Sequence, residues 1–407
     1  MAYEKLNLSN GDTFNASHLA HIEDGIYKLS VDNNARLVLP DKIRWEVGKP
    51  IYIFKHAITT AFNYNNYNIQ VIASNNPDGT NNTSKLGVDT HRYFTYTAQS
   101  AETITLTFRL YDTTHNLLDT KVVTLEIVAS RLPTNMTTVL FIGDSLTYYN
   151  RITDEFHRIM TSSDAESEDN QDTISIYKLY KPAGRGSTKV NLIGTQLQNF
   201  KGWTGKQKHE GWSGKDWDWF CGTASPFYVN STKLNFTGYL SKNNFATPNV
   251  IYIGLGWNDT RLISIRDDGV IDTSGIYNSA KTFLTALTNQ LPNAKIRLWT
   301  QNVPGVRGGI GNHPYGATVW ADEHRLKLMQ FAIAEMYKTL AAEFSNVELV
   351  WATAMIDSEY ALQESNTAIN YRIKENEVVG VDYIHPADAG FFQITDALIS
   401  DFMHCIV

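Results

Sequence analysis

Cysteine, charged residues and long apolar runs are all scarce in this chain, and each scarcity removes a class of protein from consideration. Two cysteines, Cys221 and Cys405, occur in 407 residues. They supply one disulfide at most, and a pair so far apart in sequence is equally compatible with one bond or with two free thiols. Asp, Glu, Lys and Arg together make up only 19% of the residues, and the formal charge is -7. Lys and Arg are spread along the chain, so neither a nucleic-acid face nor a membrane-surface patch is expected. Small neutral or carbohydrate-like partners fit such a surface better. No uninterrupted apolar run approaches the roughly 20 residues that span a bilayer. The N-terminus MAYEKLNLSNGDTFNAS has no basic segment followed by an apolar one, so the chain is expected to be made without a conventional secretion signal. What is plentiful is apolar surface: at 43% hydrophobic, the chain can build two or three cores and is too apolar to be disordered.

Three zones separate along the sequence. In residues 1–35, Leu19, Ile22, Ile26 and Leu29 recur at helical spacing behind Ser17 as N-cap, which predicts a short amphipathic helix too small to be a domain. Residues 36–132 hold the β-branched and aromatic runs IYIFKHAI, YNIQVIAS, RYFTYTA, TITLTFRLYD and KVVTLEIV, broken by turns such as NNPDGTNNTS and DTTHN. They predict a small antiparallel β-sandwich of immunoglobulin-like size, serving as an accessory domain. The segment ASRLPTNMT is the expected linker. In residues 133–407 the pattern becomes α/β: TVLFIG, ISIYKLY, NVIYIGLG, AKIRLWTQ and VELVW alternate with helical stretches, among them 278–290 and 322–344. Five strands with crossover helices imply a flavodoxin-like, doubly wound parallel sheet whose ligands sit at the carboxyl ends of the strands.

One strand, in VLFIGDSLTYYN, runs directly into Gly143, Asp144 and Ser145. A serine at a strand end becomes a nucleophile only when a base takes its proton, and the base is usually a histidine oriented by a carboxylate. In GVDYIHPADAGFF, His385 has Asp382 three residues before it, an offset that a tight loop can close; capping or packing at a helix start is the duller role for the same histidine. Acyl transfer also needs donors for the developing oxyanion. Asn258, in NVIYIGLGWNDT, lies just past another strand end, although an asparagine there is more often a turn former.

Taken together these residues resemble the SGNH (GDSL) hydrolases, over residues 136–407. Gly143-Asp144-Ser145-Leu146 is similar to that family's first block, which implies Ser145 as nucleophile and its own N–H as an oxyanion donor. Gly256-Trp257-Asn258-Asp259 is similar to the G-x-N-D block, which implies the Asn258 amide as another donor. Asp382-x-x-His385 is similar to the last block, which implies His385 as base and Asp382 as its orienting acid. For the second-block glycine, HEGWSG favours Gly214, with Gly211 the alternative. The resemblance implies no cofactor and no metal. An α/β-hydrolase would also run Ser, Asp, His, but its serine sits in G-x-S-x-G; here Thr147 occupies the last of those positions, and acid and base are only three residues apart.

Aromatics crowd the second block: Trp203, Trp212, Trp217, Trp219 and Phe220. Flat rings suit a sugar as well as they suit a core; Trp212 and Trp257 are expected to line the site, while Trp217 and Trp219 read at least as well as core. With no long exposed apolar lid run, the family resemblance points to removal of small acyl groups, chiefly acetyl, from a polysaccharide or oligosaccharide. Residues NGDTFNASHLAHIEDGI in turn resemble the N-terminal segment of minor structural, tail or baseplate proteins of phages that infect Gram-positive bacteria. That implies a virion-borne enzyme, associated with other tail proteins or with copies of itself; the alternative location is cytoplasmic. Two other functions compete: a glycan-binding baseplate protein without turnover, and a lysophospholipase or thioesterase on the same scaffold.

Overall fold

The structure, a computed structural model, describes residues 35–61, 63–75, 86–169, 178–229, 233–265, 270–306, 323–368, 372 and 375–406. The helix expected over residues 17–29 lies outside them.

The strand Thr137–Gly143 is buried at every position, as expected of a parallel strand covered on both faces. Val139 and Phe141 belong to one apolar cluster with the helices Arg151–Thr161 and Asp388–Cys405. Leu140 and Ile142 belong to the cluster on the other face, with Ser274–Gln290 and Glu323–Ala341. The period of two thus sends alternate residues into two separate cores. Val190–Ile193, Val250–Gly254, Lys295–Trp299 and Val347–Val350 complete a five-strand path, all parallel. Numbered along the chain, the five strands lie side by side in the order 2-1-3-4-5, which is the flavodoxin-like order with its switch point between strands 1 and 3. Glu210–Gly211 adds a two-residue parallel contact beside Ile142 and Gly143.

One expected strand is corrected. Of ISIYKLY, only its last two residues fall in a described strand, Leu179–Lys181, which pairs antiparallel with Ser167–Asp169 outside the main sheet. Its place in the parallel sheet is taken by Val190–Ile193, whose buried pattern was too short and too interrupted by polar residues to stand out.

The N-terminal region contains two sheets. Lys42–Glu46, Leu117–Val128, Glu102–Tyr111 and Asn68–Ser74 form one; Ile51–Phe54, Tyr93–Tyr96 and Val88–Asp89 form the other. The pairing is antiparallel except for Lys42–Glu46, which runs parallel to Leu117–Val128. IYIFKHAI is a strand only over its first half; Lys55–Ile58 is a 3-10 turn. This region is fastened to the rest of the chain by ion pairs: Arg92 to Asp357 (2.9 Å) and Glu359, Arg44 to Glu348 and Asp401, and Arg36 to Glu335 (2.7 Å). Cys221 and Cys405 are both free thiols. Among the described residues no helix is long and apolar enough to cross a membrane.

Candidate active site

Ser145 opens the short helix Ser145–Tyr148 immediately beyond strand 1, and Asp144 is its N-cap, accepting from Leu146 N at 3.0 Å. The turn is possible because residue 143 is glycine: a Cβ there would sit 2.2 Å from Thr147 Oγ1 and 2.7 Å from Gly254 O. As the first helical residue, Ser145 has an N–H without an intrahelical acceptor.

His385 and Asp382 arrive from far along the chain, on the strand Asn376–Pro386, which pairs antiparallel with Leu362–Ala368. Asp382 folds back on itself: its Oδ1 accepts from Ile384 N at 3.1 Å and His385 N at 3.0 Å, while Oδ2 accepts from His385 Nδ1 at 2.8 Å. These backbone bonds are why a three-residue offset aims the carboxylate at its own imidazole. Since a carboxylate only accepts, Nδ1 carries the proton and Nε2 is the acceptor, an assignment made from the network. Nε2 lies 3.0 Å from Ser145 Oγ. The structure therefore brings together Ser145, His385 and Asp382 in one relay, each nearly buried, at 6%, 5% and 5% exposure.

Asn258 begins the 3-10 turn Asn258–Leu262 after strand 3, so it flanks the switch point opposite Ser145. One of its amide N–H groups donates to Lys215 O at 3.0 Å, tying the loop that carries Gly214 to this strand end. The two candidate glycines differ. Gly211 is buried in the sheet and its N–H is spent on His209 Nδ1 at 2.9 Å. Gly214 is exposed in the left-handed region at φ 76°, a conformation that favours glycine. Its carbonyl accepts from Arg261 Nη2 at 3.4 Å, and its N–H has no acceptor among the described residues.

Of the tryptophans, Trp212 is half-buried, donates to Glu210 Oε2 at 2.9 Å and packs at a tilt on Trp219. Trp257 does not fit the expectation that it lines the site. It is 2% exposed, in the apolar cluster, with its indole N–H on Asn302 Oδ1 at 3.3 Å. It points into the core because the backbone twists at Gly256 (φ 131°) before it. Trp217 is fully buried on Tyr337 Oη at 2.6 Å, a core residue.

Gln301 was passed over in the sequence, and Asp259 was given no role there beyond its place in the G-x-N-D block. Gln301, just past strand 4, donates to Asp144 Oδ2 at 2.8 Å and accepts from Trp257 N at 2.7 Å, so one side chain clasps the loops carrying Ser145 and Asn258. Its signal was available, a glutamine directly after the apolar run AKIRLWT. Asp259 accepts from Trp217 N at 3.1 Å through Oδ1, while Oδ2 is buried with no partner among the described residues. Burial, with Asp216 and Asp144 nearby adding like charge, pushes the Asp259 carboxyl up to about 8. Asp144 is pushed up to about 6 by burial, against the opposing pull of its hydrogen bonds from Gln301 and Leu146.

No family model matches the chain, and no curated protein does. Solved structures similar to it include a carbohydrate esterase family 3 protein from Talaromyces cellulolyticus, 14% identical, with 67% of this chain and 98% of that one covered at a TM-score of 0.37. A Clostridium thermocellum family 3 carbohydrate esterase is 12% identical over 66% and 98%, at 0.36. The aryl esterase of M. Smegmatis is 15% identical over 67% and 100%, at 0.35. At such identities and TM-scores the likeness carries no chemistry across, and the relay of Ser145, His385 and Asp382 has to speak for itself.

Proposed function

We propose that this chain is a serine esterase of the SGNH type that removes small acyl groups, chiefly acetyl, from a glycan through an acyl-enzyme. The observation that carries the reading is the continuous hydrogen-bonded line from Ser145 Oγ through His385 to Asp382, at the switch point of the sheet. In this mechanism Ser145 Oγ attacks the ester carbonyl as its proton passes to His385 Nε2. Asp382 stays ionised and compensates the imidazolium. On this reading the donors that meet the tetrahedral oxyanion are the N–H of Ser145, the N–H of Gly214 and the second N–H of the Asn258 amide. His385 returns its proton to the departing sugar hydroxyl. Water then enters, gives a proton to the same nitrogen and releases the carboxylic acid, regenerating Ser145. The residues supply nucleophile, base and oxyanion donors themselves, so no cofactor or metal has a step to perform.

Gly214 serves better than Gly211 as the second-block donor, because the Gly211 N–H is already engaged by His209. The glycan part of the reading is supported by Trp212, a half-exposed ring held beside the Ser145 loop by its backbone N–H, which donates to Gly143 O at 2.8 Å. Residues 36–132 are proposed as an accessory domain to this enzyme. That the enzyme travels in a virion with tail or baseplate proteins, alone or as a homo-oligomer, rests only on the sequence NGDTFNASHLAHIEDGI.

The deciding experiment is hydrolysis of p-nitrophenyl acetate, butyrate and longer-chain esters. Preference for acetate supports the proposal. Absence of all turnover would make the chain a binding protein instead. Activity that rises with chain length would move it to the lysophospholipase or thioesterase class.

A further inference from the structure

The serine and histidine of the relay stand 240 residues apart in sequence, and something must hold the two chain segments in register. Six residues past Ser145 is Arg151; three residues past His385 is Asp388. Their side chains form an ion pair, Arg151 Nε to Asp388 Oδ1, with both side chains at 0% exposure. The pair closes a short circuit: serine, helix start, guanidinium, carboxylate, helix start, histidine. The rest of the guanidinium faces the turn 199–204, where Nη1 donates to Phe200 O at 3.2 Å and Nη2 to Lys201 O at 3.3 Å. That turn presents Phe200 flat against Tyr149, with centroids 3.9 Å apart and planes at 7°. Tyr149 in turn packs against the His385 ring at 5.2 Å and against Phe391 at 6.1 Å.

A buried ion pair is weak evidence for stability, since an apolar pair of similar volume often does as well or better. Its value here lies in geometry. A guanidinium donates along a rigid fork, so one side chain can reach Asp388 and two carbonyls at once, which the single ammonium of lysine cannot do. We propose that Arg151, acting through Asp388 and through the Phe200–Tyr149 stack, is the positioning residue that sets His385 against Ser145. The inference rests on the reading of Ser145, His385 and Asp382 as an acyl-transfer triad.

The test compares Arg151→Lys, which keeps a charge for Asp388 but loses the fork, with the double variant Arg151→Met/Asp388→Val, which replaces the pair by apolar groups. Three readouts are taken: melting temperature, kcat and KM on p-nitrophenyl acetate, and the low-field proton resonance of the His385 Nδ1–H bond to Asp382. In folded variants kcat should fall about 10- to 100-fold with KM little changed, the size expected of a misplacement on the order of an ångström. The low-field resonance should broaden. Wild-type kcat and an unchanged resonance in folded variants would overturn the proposal, as would loss of the fold in both, which would assign the pair to stability alone. Should the wild type hydrolyse no ester while Arg151→Lys still broadens the resonance, the esterase reading fails and the positioning role stands.

Discussion

Among the described residues two serine–histidine contacts are buried, and the group standing behind each imidazole separates them. At the carboxyl edge of the sheet, His385 reaches Ser145 through Nε2 and has Asp382 at 2.8 Å behind it. At the seam between the N-terminal sheets and the segment leading into Leu362–Ala368, His56 Nδ1 lies 2.6 Å from Ser358 Oγ. Its ring packs edge-on against Tyr64, and the nearby charge is a cation, Lys327, whose Nζ donates to Ala61 O at 2.9 Å. The acids of that seam, Asp357 and Glu359, are taken by Arg92. A general base has to become positive in the transition state. His385 would do so against a carboxylate; His56, pushed well below the usual histidine range by burial and by Lys327, would do so against an ammonium. Burial pushes Lys327 itself down to about 7, so the seam resists positive charge from both groups. A Ser–His hydrogen bond is therefore not by itself a nucleophile; the third residue decides.

The largest expected effect breaks the contrast at the serine. Ser145→Ala should lower kcat by about 10⁴ to 10⁶ in a chain that still folds, and a fluorophosphonate should label Ser145 while leaving Ser358 untouched. Substantial turnover by that variant would remove Ser145 from the mechanism. Asp382→Asn makes His385 more like His56 by deleting its carboxylate, and kcat should drop by up to about 10⁴ at neutral pH, less than in His385→Ala. Next comes the oxyanion donor. Asn258→Ala should cost roughly 10² to 10³ in kcat, about 2.7 to 4 kcal/mol, with little change in KM. If Asn258→Gly keeps wild-type kcat, the asparagine shapes a turn and nothing more.

Ser145, Asn258, Asp382 and His385 stood out in the sequence because each closes an apolar strand or sits three residues from its partner, and such patterns are local. The five-strand α/β scaffold was visible for the same reason, through TVLFIG, NVIYIGLG, AKIRLWTQ and VELVW. ISIYKLY misled because a strong apolar run carries no label for the sheet it joins, whereas Val190–Ile193 gains its place from neighbours distant in sequence. The Gln301–Asp144, Arg151–Asp388 and His56–Ser358 contacts depend on segments 157, 237 and 302 residues apart meeting in space; a glutamine at a strand end can be noticed, but no spacing rule names its partner so far away. Trp257 was misplaced because proximity to Asn258 in sequence says nothing about which way a ring turns at the preceding glycine.

A smaller effect sharpens the electrostatic side of the comparison. The folded-state value of about 8 for Asp259 lies above the ordinary carboxyl value of 3.8, so the native chain holds a proton there that the unfolded chain releases. Its contribution to stability is full below the ordinary value and is lost as pH rises through about 8, at up to about 1.4 kcal/mol per pH unit. Asp259→Asn cannot ionise and keeps an acceptor for Trp217 N. Between pH 6.5 and 8 the wild type should therefore lose melting temperature relative to the variant. Asp144 contributes little to the slope there, having titrated near 6, and Lys327, whose depressed value acts in the opposite sense from about pH 7 upward, cancels in the difference. Parallel melting curves across that window would mean Asp259 is ionised in the native state.

The smallest effect on catalysis is expected at the second serine. Ser358→Ala removes the hydroxyl bonded to His56 Nδ1 in a site where His56 and Ser358 are 6% and 2% exposed. A buried ring nitrogen left without a partner costs about 1 to 3 kcal/mol, so melting temperature should fall while kcat stays at the wild-type value. Both changes take a hydroxyl partner from a buried ring nitrogen, so both should lower the melting temperature, but only Ser145→Ala should lose activity. Measuring both quantities on both variants tests whether the carboxylate behind the imidazole is what distinguishes the pairs. If folded Ser358→Ala loses kcat on the scale of Asn258→Ala, the seam communicates with the triad, and the segment 356–362 leading into Leu362–Ala368 is the route by which it would do so.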